Sequence, residues 1–288
     1  MFRLLFIPKY FNKSLARFLT LSLFFQIHIM AQKNNSYSLF YSTPYFEPKT
    51  INPIHGSYYL EGLQANELMY SRLWTWKKDL SETSDLVANI SQQSFNKMLK
   101  TPQDNDYWSW LVEIRPGLKW PDGKPLTAED VKFSFDVYVA DKTEYSQREL
   151  LKIFKKITIV DDHTIQFFVE EKNKRIVRRV LPLVQILPKH KVVTTYLRRE
   201  SKFNDEPMGS GPYQYTLQDK RNYNDKGNSK IVFSRNKNYY NWGSNSNIDY
   251  IKILVERNLP DIVQRILKSQ RSEDWLSIDL VINTPNDI

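Results

Sequence analysis

Apolar and polar residues alternate along residues 108–115, which is the pattern of a strand with one buried face. The apolar positions are Trp108, Trp110, Val112 and Ile114. Two turn signals follow the strand, Pro116-Gly117 and Pro121-Asp122-Gly123, because proline and glycine favour turn conformations. This part of the chain therefore predicts a strand that ends in two closely spaced turns.

A helix is predicted directly after the second turn, where apolar residues recur between Val131 and Val139. Thr127 stands at the position of an N-cap, since its side chain can accept a hydrogen bond from the first turn. Asp130 follows three residues later, in an acidic variant of the capping box, and negative charge is favoured at this end of a helix. Residues 108–140 thus predict a strand, two turns and a capped helix.

The rest of the chain alternates between helical and strand-like patterns, and its predicted elements follow in order. They are a helix over 61–76, a strand pair over 153–169 around the turn at 161–163, a mostly helical stretch over 173–200 broken at Pro182 and Pro188, three strands between residues 208 and 255, a short helix over 260–267 and a last strand over 278–282. This mixture indicates an α/β protein.

Length and charge narrow the functional classes. A chain of 288 residues with 41% hydrophobic content can bury one large or two ordinary cores. The net charge is +9, of which residues 1–31 contribute +4 and residues 32–288 the remaining +5. The densest basic cluster is Lys172, Lys174, Arg175, Arg178 and Arg179. A solvated surface is the favoured interpretation of this cluster over a nucleic-acid or membrane contact, and no nucleic-acid partner is expected.

The N-terminus has the layout of a signal peptide, with basic residues, then an uncharged apolar stretch, then a polar segment after Ala31. We expect cleavage after residue 31, and an uncleaved anchor is the alternative. The chain has no cysteine, which excludes disulfides, thiolate metal sites, a cysteine nucleophile and an N-terminal lipidated cysteine. The expected location is therefore the periplasm, for an exported protein that is not a lipoprotein.

The block of turns and helix also carries a family resemblance. Its matching residues are Arg115, Gly117, Trp120, Asp122, Gly123, Leu126, Thr127, Ala128, Glu129, Asp130 and Val131. Together they resemble the signature region of the family 5 extracellular solute-binding proteins, the peptide- and nickel-binding components of bacterial ABC importers. The match is long and ungapped, so it is more specific than a short glycine-rich motif.

Further segments resemble the same family in the same order. They are Asn52-Pro53 with the following 67–74, then 160–169, 186–190, 208–217 and 234–242, so the resemblance covers about residues 50–255. It implies a mixed α/β, periplasmic-binding-protein-like type II fold with a ligand cleft between two lobes. The implied organisation is a signal peptide at 1–31, a first-lobe core at 32–70 and 204–288, and an inserted α/β subdomain at 71–203. Because the chain stops where the family crosses into its second lobe, that lobe is expected to be missing.

The resemblance also suggests where ligand lies. The loop after Asn52-Pro53 borders the cleft in relatives, which makes Ser57, Tyr58 and Tyr59 the candidate ligand-binding residues; packing of both tyrosines on the next helix is the alternative. Gly209, Gly211 and Pro212 are interpreted as a backbone device rather than a phosphate-binding loop, since no Lys-Ser or Lys-Thr pair follows. Arg115, Gly117, Trp120, Asp122, Gly123, Thr127 and Asp130 are expected to determine structure.

The predicted function is that of a periplasmic substrate-binding component of an ABC importer for peptides that delivers ligand to inner-membrane permease subunits. No catalytic motif is present, the four histidines are scattered, and no metal or cofactor is expected. A missing second lobe predicts weak or no peptide binding by this chain alone and a complementing C-terminal half as a further partner. The alternatives are an exported interaction or chemoreceptor-docking module that has lost transport and, less favoured, a secreted hydrolase.

Overall fold

The computed structural model describes twelve parts of the chain, which are residues 24–33, 36–43, 51–55, 60–77, 79–88, 98–100, 107–140, 145–192, 202–216, 229–242, 248–255 and 275–283. The strands in these parts are β1 (Phe24–Lys33), β2 (Ser36–Thr43), β3 (Trp74–Trp76), β4 (Glu82–Ser84), β5 (Met98–Lys100), β6 (Tyr107–Glu113), β7 (Phe154–Ile159), β8 (Thr164–Glu170), β9 (Tyr213–Tyr215), β10 (Ser229–Arg235), β11 (Ile248–Val255) and β12 (Trp275–Asn283).

The α-helices within the described ranges are α1 (Leu60–Met69), α2 (Ala128–Val139), α3 (Arg148–Leu151), α4 (Val177–Val180) and α5 (Lys202–Asp205). Short 3-10 helices are Pro53–His55, Glu171–Asn173 and Leu181–Leu183. The two longest helices, α1 and α2, have 10 and 12 residues, and no described helix is both long and apolar enough to cross a membrane.

One compact unit comprises Met1–Tyr45, Arg221–Ile231 and Ile248–Ile288. Its strands follow the order β12-β1-β2-β11, in which β1 is antiparallel to both neighbours and β11 is parallel to β2. At the middle of β1, Ile29 lies opposite Ile278 on one side and Phe40 on the other. Residues 24–31 of β1 belong to the segment that the sequence predicts to be a signal peptide. The signal peptide stays a prediction.

The other compact unit comprises Phe46–Lys220 and Val232–Asn247. Its largest sheet is antiparallel, in the order β5-β6-β8-β7, and two smaller pairings join β3 to β4 and β9 to β10. In β8 the side chains of Ile165, Phe167 and Val169 are completely buried, so this central strand contributes one face to the core. The boundaries of these two units differ from those predicted for the first-lobe core and the inserted subdomain. The predicted domain boundaries also stay a prediction.

Helix α2 packs on this sheet through aromatic rings. The ring of Phe135 lies 4.9 Å from that of Phe167 and 5.5 Å from that of Phe154, measured between ring centroids and with edge-to-face geometry. Such pairs add stabilisation of about 0.5–1.5 kcal/mol each beyond the area they bury. The helix predicted after Thr127 and the strand pair predicted around residues 161–163 are therefore confirmed, and they pack on each other.

The helix predicted over 61–76 is wrong beyond Met69. The structure ends α1 there and places Trp74–Trp76 in strand β3. The physical reason is tertiary pairing: the main chain of Arg72 and Leu73 accepts hydrogen bonds from Leu86 and Val87 at 3.0 and 3.1 Å. These long-range bonds take the carbonyl groups that a continued helix would use.

The prediction of mostly helical structure over 173–200 is also wrong in its described part. Only α4 and two 3-10 turns form between residues 171 and 183, and residues 184–192 are irregular. Pro182 and Pro188 lack the amide hydrogen that a continued helix needs, so helical segments of only one turn remain. The three strands predicted between residues 208 and 255 and the strand predicted over 278–282 are confirmed as β9, β10, β11 and β12. The helix predicted over 260–267 lies outside the described residues.

Candidate functional site

The predicted ligand-binding residues Ser57, Tyr58 and Tyr59 lie outside the described residues, but the chain on either side of them is described. Before them, Asn52 Nδ2 donates a hydrogen bond of 2.7 Å to Asn204 Oδ1. The Oδ1 atom of Asn52 accepts a second bond, of 3.1 Å, from the backbone N–H of Ile54, which is completely buried. After them, α1 begins at Leu60. The chain before the predicted loop is therefore tied to Asn204, and the chain after it is helical.

The far end of α1 is fixed by the glycine-rich segment. The backbone N–H of Gly211 donates a 2.7 Å hydrogen bond to the carbonyl of Met69, the last residue of the helix. A Cβ atom on Gly209 would lie 2.0 Å from that oxygen, and one on Gly211 would lie 2.7 Å from the carbonyl oxygen of Leu68. Only glycine allows this approach. The carbonyls of Gly211 and Pro212 in turn accept hydrogen bonds of 2.8 and 2.9 Å from the buried Asn236.

Asp130 is the point at which the second turn, the start of α2 and the segment around Lys189 meet. Its carboxylate accepts hydrogen bonds from the backbone N–H of Thr127 (3.0 Å), from the indole N–H of Trp120 (3.2 Å) and from the backbone N–H of Lys189 (2.9 Å). Burial raises the pKa of this carboxyl above its usual range, although these three donors oppose the shift. Asp130 therefore closes the start of α2 and also ties the turn before it to the segment at 186–190.

The two predicted turns have the backbone geometry that favours glycine, since φ is 74° at Gly117 and 84° at Gly123. In the second turn, the side chain of Asp122 lies 2.8 Å from Nε2 of His190. Partial burial alone would raise the pKa of Asp122, but the hydrogen bonds from His190 and from the backbone N–H of Lys124, together with nearby charges, lower it. The carbonyls of Trp120 and Pro121 both accept hydrogen bonds from Nδ2 of Asn238, at 3.0 and 3.1 Å. The second turn is thus held from two distant parts of the chain.

A second network, around Arg115, includes residues that the sequence analysis did not identify. Nε of Arg115 donates to the carbonyl of Asp85 at 2.9 Å, and its guanidinium lies 4.5 Å above the ring of Tyr240. The carboxylate of Asp85 accepts bonds from the backbone N–H of Arg72 (2.7 Å) and the hydroxyl of Tyr240 (3.3 Å). Burial raises the pKa of Asp85 to about 6 despite these donors. No local pattern marks Asp85 in the sequence.

These networks connect polar side chains to backbone groups, which is an arrangement that fixes loops and turns. Within the described ranges, no three His, Cys, Asp or Glu side chains come together in a way that could hold a metal ion. The predicted structural residues form two connected sets, one around Asp130 and one around Gly211, and Arg115 belongs to the network of Asp85.

The fold matches that of ABC transporter substrate-binding proteins. The substrate-binding protein CtaP from Listeria monocytogenes aligns with 82% of this chain and 43% of its own at a TM-score of 0.63 and 22% identity. The oligopeptide-binding protein AppA from Bacillus subtilis, solved with a nonapeptide, aligns with 81% of this chain and 42% of its own at the same TM-score and identity. The protein is therefore a mixed α/β, periplasmic-binding-protein-like type II structure.

The chain belongs to the bacterial extracellular solute-binding proteins of family 5, since the family model of their middle region matches residues 96–280, which is more than half of the chain. In sequence, AppA from Bacillus subtilis is 30% identical over 107 residues, which are 36% of this chain and 20% of AppA. The chain spans less than half the length of the relatives it matches. Members of this family are periplasmic or extracellular binding proteins.

Proposed function

We propose that this protein is the substrate-binding component of an ABC importer and that its ligands are peptides. The observation that carries the proposal is the family match over residues 96–280, together with relatives that are named oligopeptide-binding proteins. Its work is to capture a solute outside the cytoplasmic membrane and deliver it to permease subunits, and it does no chemistry on that solute.

The anchored chain before residues 56–59 and the helix after them support a role for Ser57, Tyr58 and Tyr59 in contacting ligand. A recognition loop performs best when a rigid scaffold holds both of its ends, because less ordering is then required on binding. Here the buried Asn52 and the docked helix α1 supply that scaffold. Tyrosine combines a large apolar ring with a hydroxyl, which suits contact with a peptide backbone and its side chains.

The proposal is tested on the protein as the cell makes it. An antibody raised to residues 32–288 gives the size of the endogenous protein by immunoblot and isolates it with whatever further chain it carries. The chain of 288 residues has a mass of 34.3 kDa. Small molecules released from the isolated protein by acid are then identified by mass spectrometry. We expect peptides, enriched over a mock purification with an unrelated antibody.

Two outcomes of this experiment separate the candidate functions. Enrichment of a saccharide or a metal chelate in place of peptides would contradict the peptide assignment and leave the solute-binding role intact. Recovery of no solute from a protein that remains folded would contradict the binding role, and an exported interaction module would then be the working answer.

The contribution of the loop is measured by a matched pair of substitutions in the same endogenous protein. Tyr58→Ala with Tyr59→Ala should reduce the recovered peptide at least about tenfold, since contact aromatics in binding sites commonly contribute more than 1 kcal/mol each. Tyr250→Ala, which removes an aromatic ring that is 39% exposed on β11, should leave recovery unchanged. Equal peptide recovery from both variants would show that Tyr58 and Tyr59 do not contribute to the ligand site.

A further inference from the structure

One surface of the second unit combines exposed apolar side chains with cations. It is formed by the β3–β4 hairpin and the adjacent segment 171–180, and it consists of Trp76, Lys77, Leu80, Arg175, Ile176 and Arg179, which we call the hairpin surface. Of these side chains Leu80 is 78% exposed, while Trp76 and Ile176 are each 39% exposed. The bound peptide proposed above accounts for none of them.

Hydrogen bonds join the described residues of the hairpin turn, and Leu80 has an unusual backbone conformation there. Lys77 and Ser81 are joined by a backbone hydrogen bond of 2.8 Å, and the N–H of Leu80 donates to the carbonyl of Lys77 at 2.9 Å. Asp79 accepts from both the backbone N–H and the hydroxyl of Ser81, at 3.0 and 2.6 Å. Leu80 has φ of 63°, the one positive φ outside glycine among the described residues. A branched side chain is disfavoured there, so the turn presents leucine at a conformational cost.

The hairpin and the basic segment are joined by a two-point ion pair. Nε of Arg178 donates to Oε1 of Glu82 at 2.7 Å, and a second guanidinium N–H donates to Oε2 of the same carboxylate. Glu82 lies opposite Trp76 in the strand pair. This contact joins β4 to α4, the helix that contains Arg179 and that directly follows Arg175 and Ile176 along the chain.

The basic segment of the hairpin surface is positive because its acids are already paired, while the turn itself also carries the exposed carboxylate of Asp79. Glu82 is paired with Arg178, Glu171 with Lys174, and Glu170 with Lys155 and Lys172. Arg175 and Arg179 are exposed and make no ion pair with any residue that the structure describes. Between residues 170 and 180 the sequence carries five basic and two acidic residues, a net charge of +3.

We propose that the hairpin surface binds the surface of an anionic phospholipid bilayer. Tryptophan and leucine flanked by lysine and arginine are the side chains that favour the boundary between headgroups and acyl chains, where the rings enter and the cations meet the phosphates. Each basic residue close to such a surface adds a separate electrostatic contribution. The protein would then be held at the membrane by weak, salt-sensitive contact through this hairpin.

A lipid surface fits these side chains better than an acidic protein surface does. The apolar residues stand apart, with Trp76 at the end of β3, Leu80 in the turn and Ile176 just before α4. A stable protein interface instead needs a contiguous, well-packed area of about 800 Å² on each partner. Shallow insertion into a bilayer makes no such demand, because a fluid surface adapts to single projecting side chains.

The test measures partition of the full chain onto vesicles by sedimentation. One set of vesicles contains phosphatidylglycerol mixed with phosphatidylcholine, and the other contains phosphatidylcholine alone. We expect binding to the first set, weakened by salt and weak on the second. Arg175→Gln with Arg179→Gln should lower the partition coefficient by about thirtyfold, from the contribution expected of two basic residues at such a surface. Leu80→Asn should lower it severalfold.

Matched variants separate the hairpin surface from general electrostatics and from residues 1–31, which carry basic and apolar residues of their own. Lys119→Gln with Lys237→Gln removes two exposed cations elsewhere, and Leu150→Asn removes a leucine that is 48% exposed on α3. Neither control should change partition by more than about twofold, the effect of a charge removed away from the contact. Equal losses in the controls, equal binding to phosphatidylcholine alone, or no sedimentation at all would each overturn the proposal.

Discussion

At the scale of single residues, the tight contact between the glycine-rich segment and α1 gives the sharpest stability prediction. Gly209→Ala places a methyl group 2.0 Å from the carbonyl oxygen of Met69, and neither backbone can move without breaking the hydrogen bond at Gly211. We expect the free energy of unfolding to fall by about 3 kcal/mol or more, as for severe overpacking. Urea denaturation followed by circular dichroism measures this change.

Gly123→Ala is the matched control for that prediction. No atom lies within 4 Å of a Cβ added there, but φ is +84°, so only the conformational cost of about 1–2 kcal/mol applies. If both substitutions cost the same, the close approach of Gly209 to α1 is not what requires glycine at that position.

Leu80 gives a prediction of opposite sign at the same scale. Because φ at Leu80 is 63° and its side chain is 78% exposed, replacing it removes little packing and relieves an unfavourable backbone conformation. Asparagine tolerates this conformation better than leucine, so Leu80→Asn should raise the free energy of unfolding by about 1 kcal/mol. Thermal unfolding of the variant beside the parent protein measures this, and a lower melting temperature would show that the leucine packs against something after all.

At the scale of elements, the start of α2 depends on one carboxylate. Asp130→Ala leaves the buried indole N–H of Trp120 and the backbone N–H of Lys189 without an acceptor, and it also removes the bond to Thr127. Each buried donor left unsatisfied costs about 1–3 kcal/mol, so we expect a loss of roughly 3 kcal/mol in total. The free energy of unfolding from denaturant titration is the quantity to compare.

Asp136 on the same helix provides the control. Its carboxylate is exposed and pairs with Lys132 one turn earlier, an interaction that contributes about 0.3–0.5 kcal/mol in helices. Asp136→Ala should therefore leave stability almost unchanged. A similar loss in both variants would mean that Asp130 acts only through general helix electrostatics.

The comparison of α1 with α2 shows which elements could be predicted from the sequence. For α2 the local signals are complete, since Thr127, Asp130 and the apolar spacing specify its start and its buried face. For α1 the helix-forming residues continue past Met69, but the helix stops there because Gly211 takes the Met69 carbonyl and residues 72 and 73 pair with residues 86 and 87. These partners are far away in the sequence, so no local pattern could place the end.

At the scale of the whole molecule, the raised pKa of Asp85 should make the free energy of unfolding depend on pH. Its pKa is raised from an ordinary value of 3.8 to about 6, so the folded chain binds this proton more tightly than the unfolded chain. Stability contributed by the protonated form is present at low pH and is lost as pH rises from about 4 through about 6. The total decline from this group is up to roughly 3 kcal/mol.

Asp85→Asn should remove this decline, because the amide does not titrate and is nearly the same size. Denaturant titrations between about pH 4 and pH 7 should show the variant gaining stability relative to the parent as pH rises. Asp161 is the control, since the hydrogen bond that it accepts from the backbone N–H of His163 lowers its pKa, and its contribution to stability is lost as pH falls. Parallel profiles for Asp85→Asn and the parent would exclude a raised pKa at Asp85.

The networks that hold the candidate site could be predicted only in part. The cap at Asp130 and the close approach of the glycines follow from residue types that have few other uses. The partners Lys189, Asn238 and Tyr240 could not be predicted, because they lie 59, 118 and 155 residues from the groups they contact. Sequence spacing gives no distance in space across such separations.

These long separations also determine when the contacts can form during synthesis of the chain. The carbonyl of Trp120 finds its partner in Asn238, 118 residues later, and Asp85 finds Tyr240 later still. At about 5–20 residues per second, the ribosome needs roughly 6–24 s to make the intervening stretch. During that interval the signature region has been synthesised, but its second turn lacks the hydrogen bonds from Asn238 that hold it. A growing chain that stays incompletely folded for this long can pass end first through a translocation channel before its long-range contacts form.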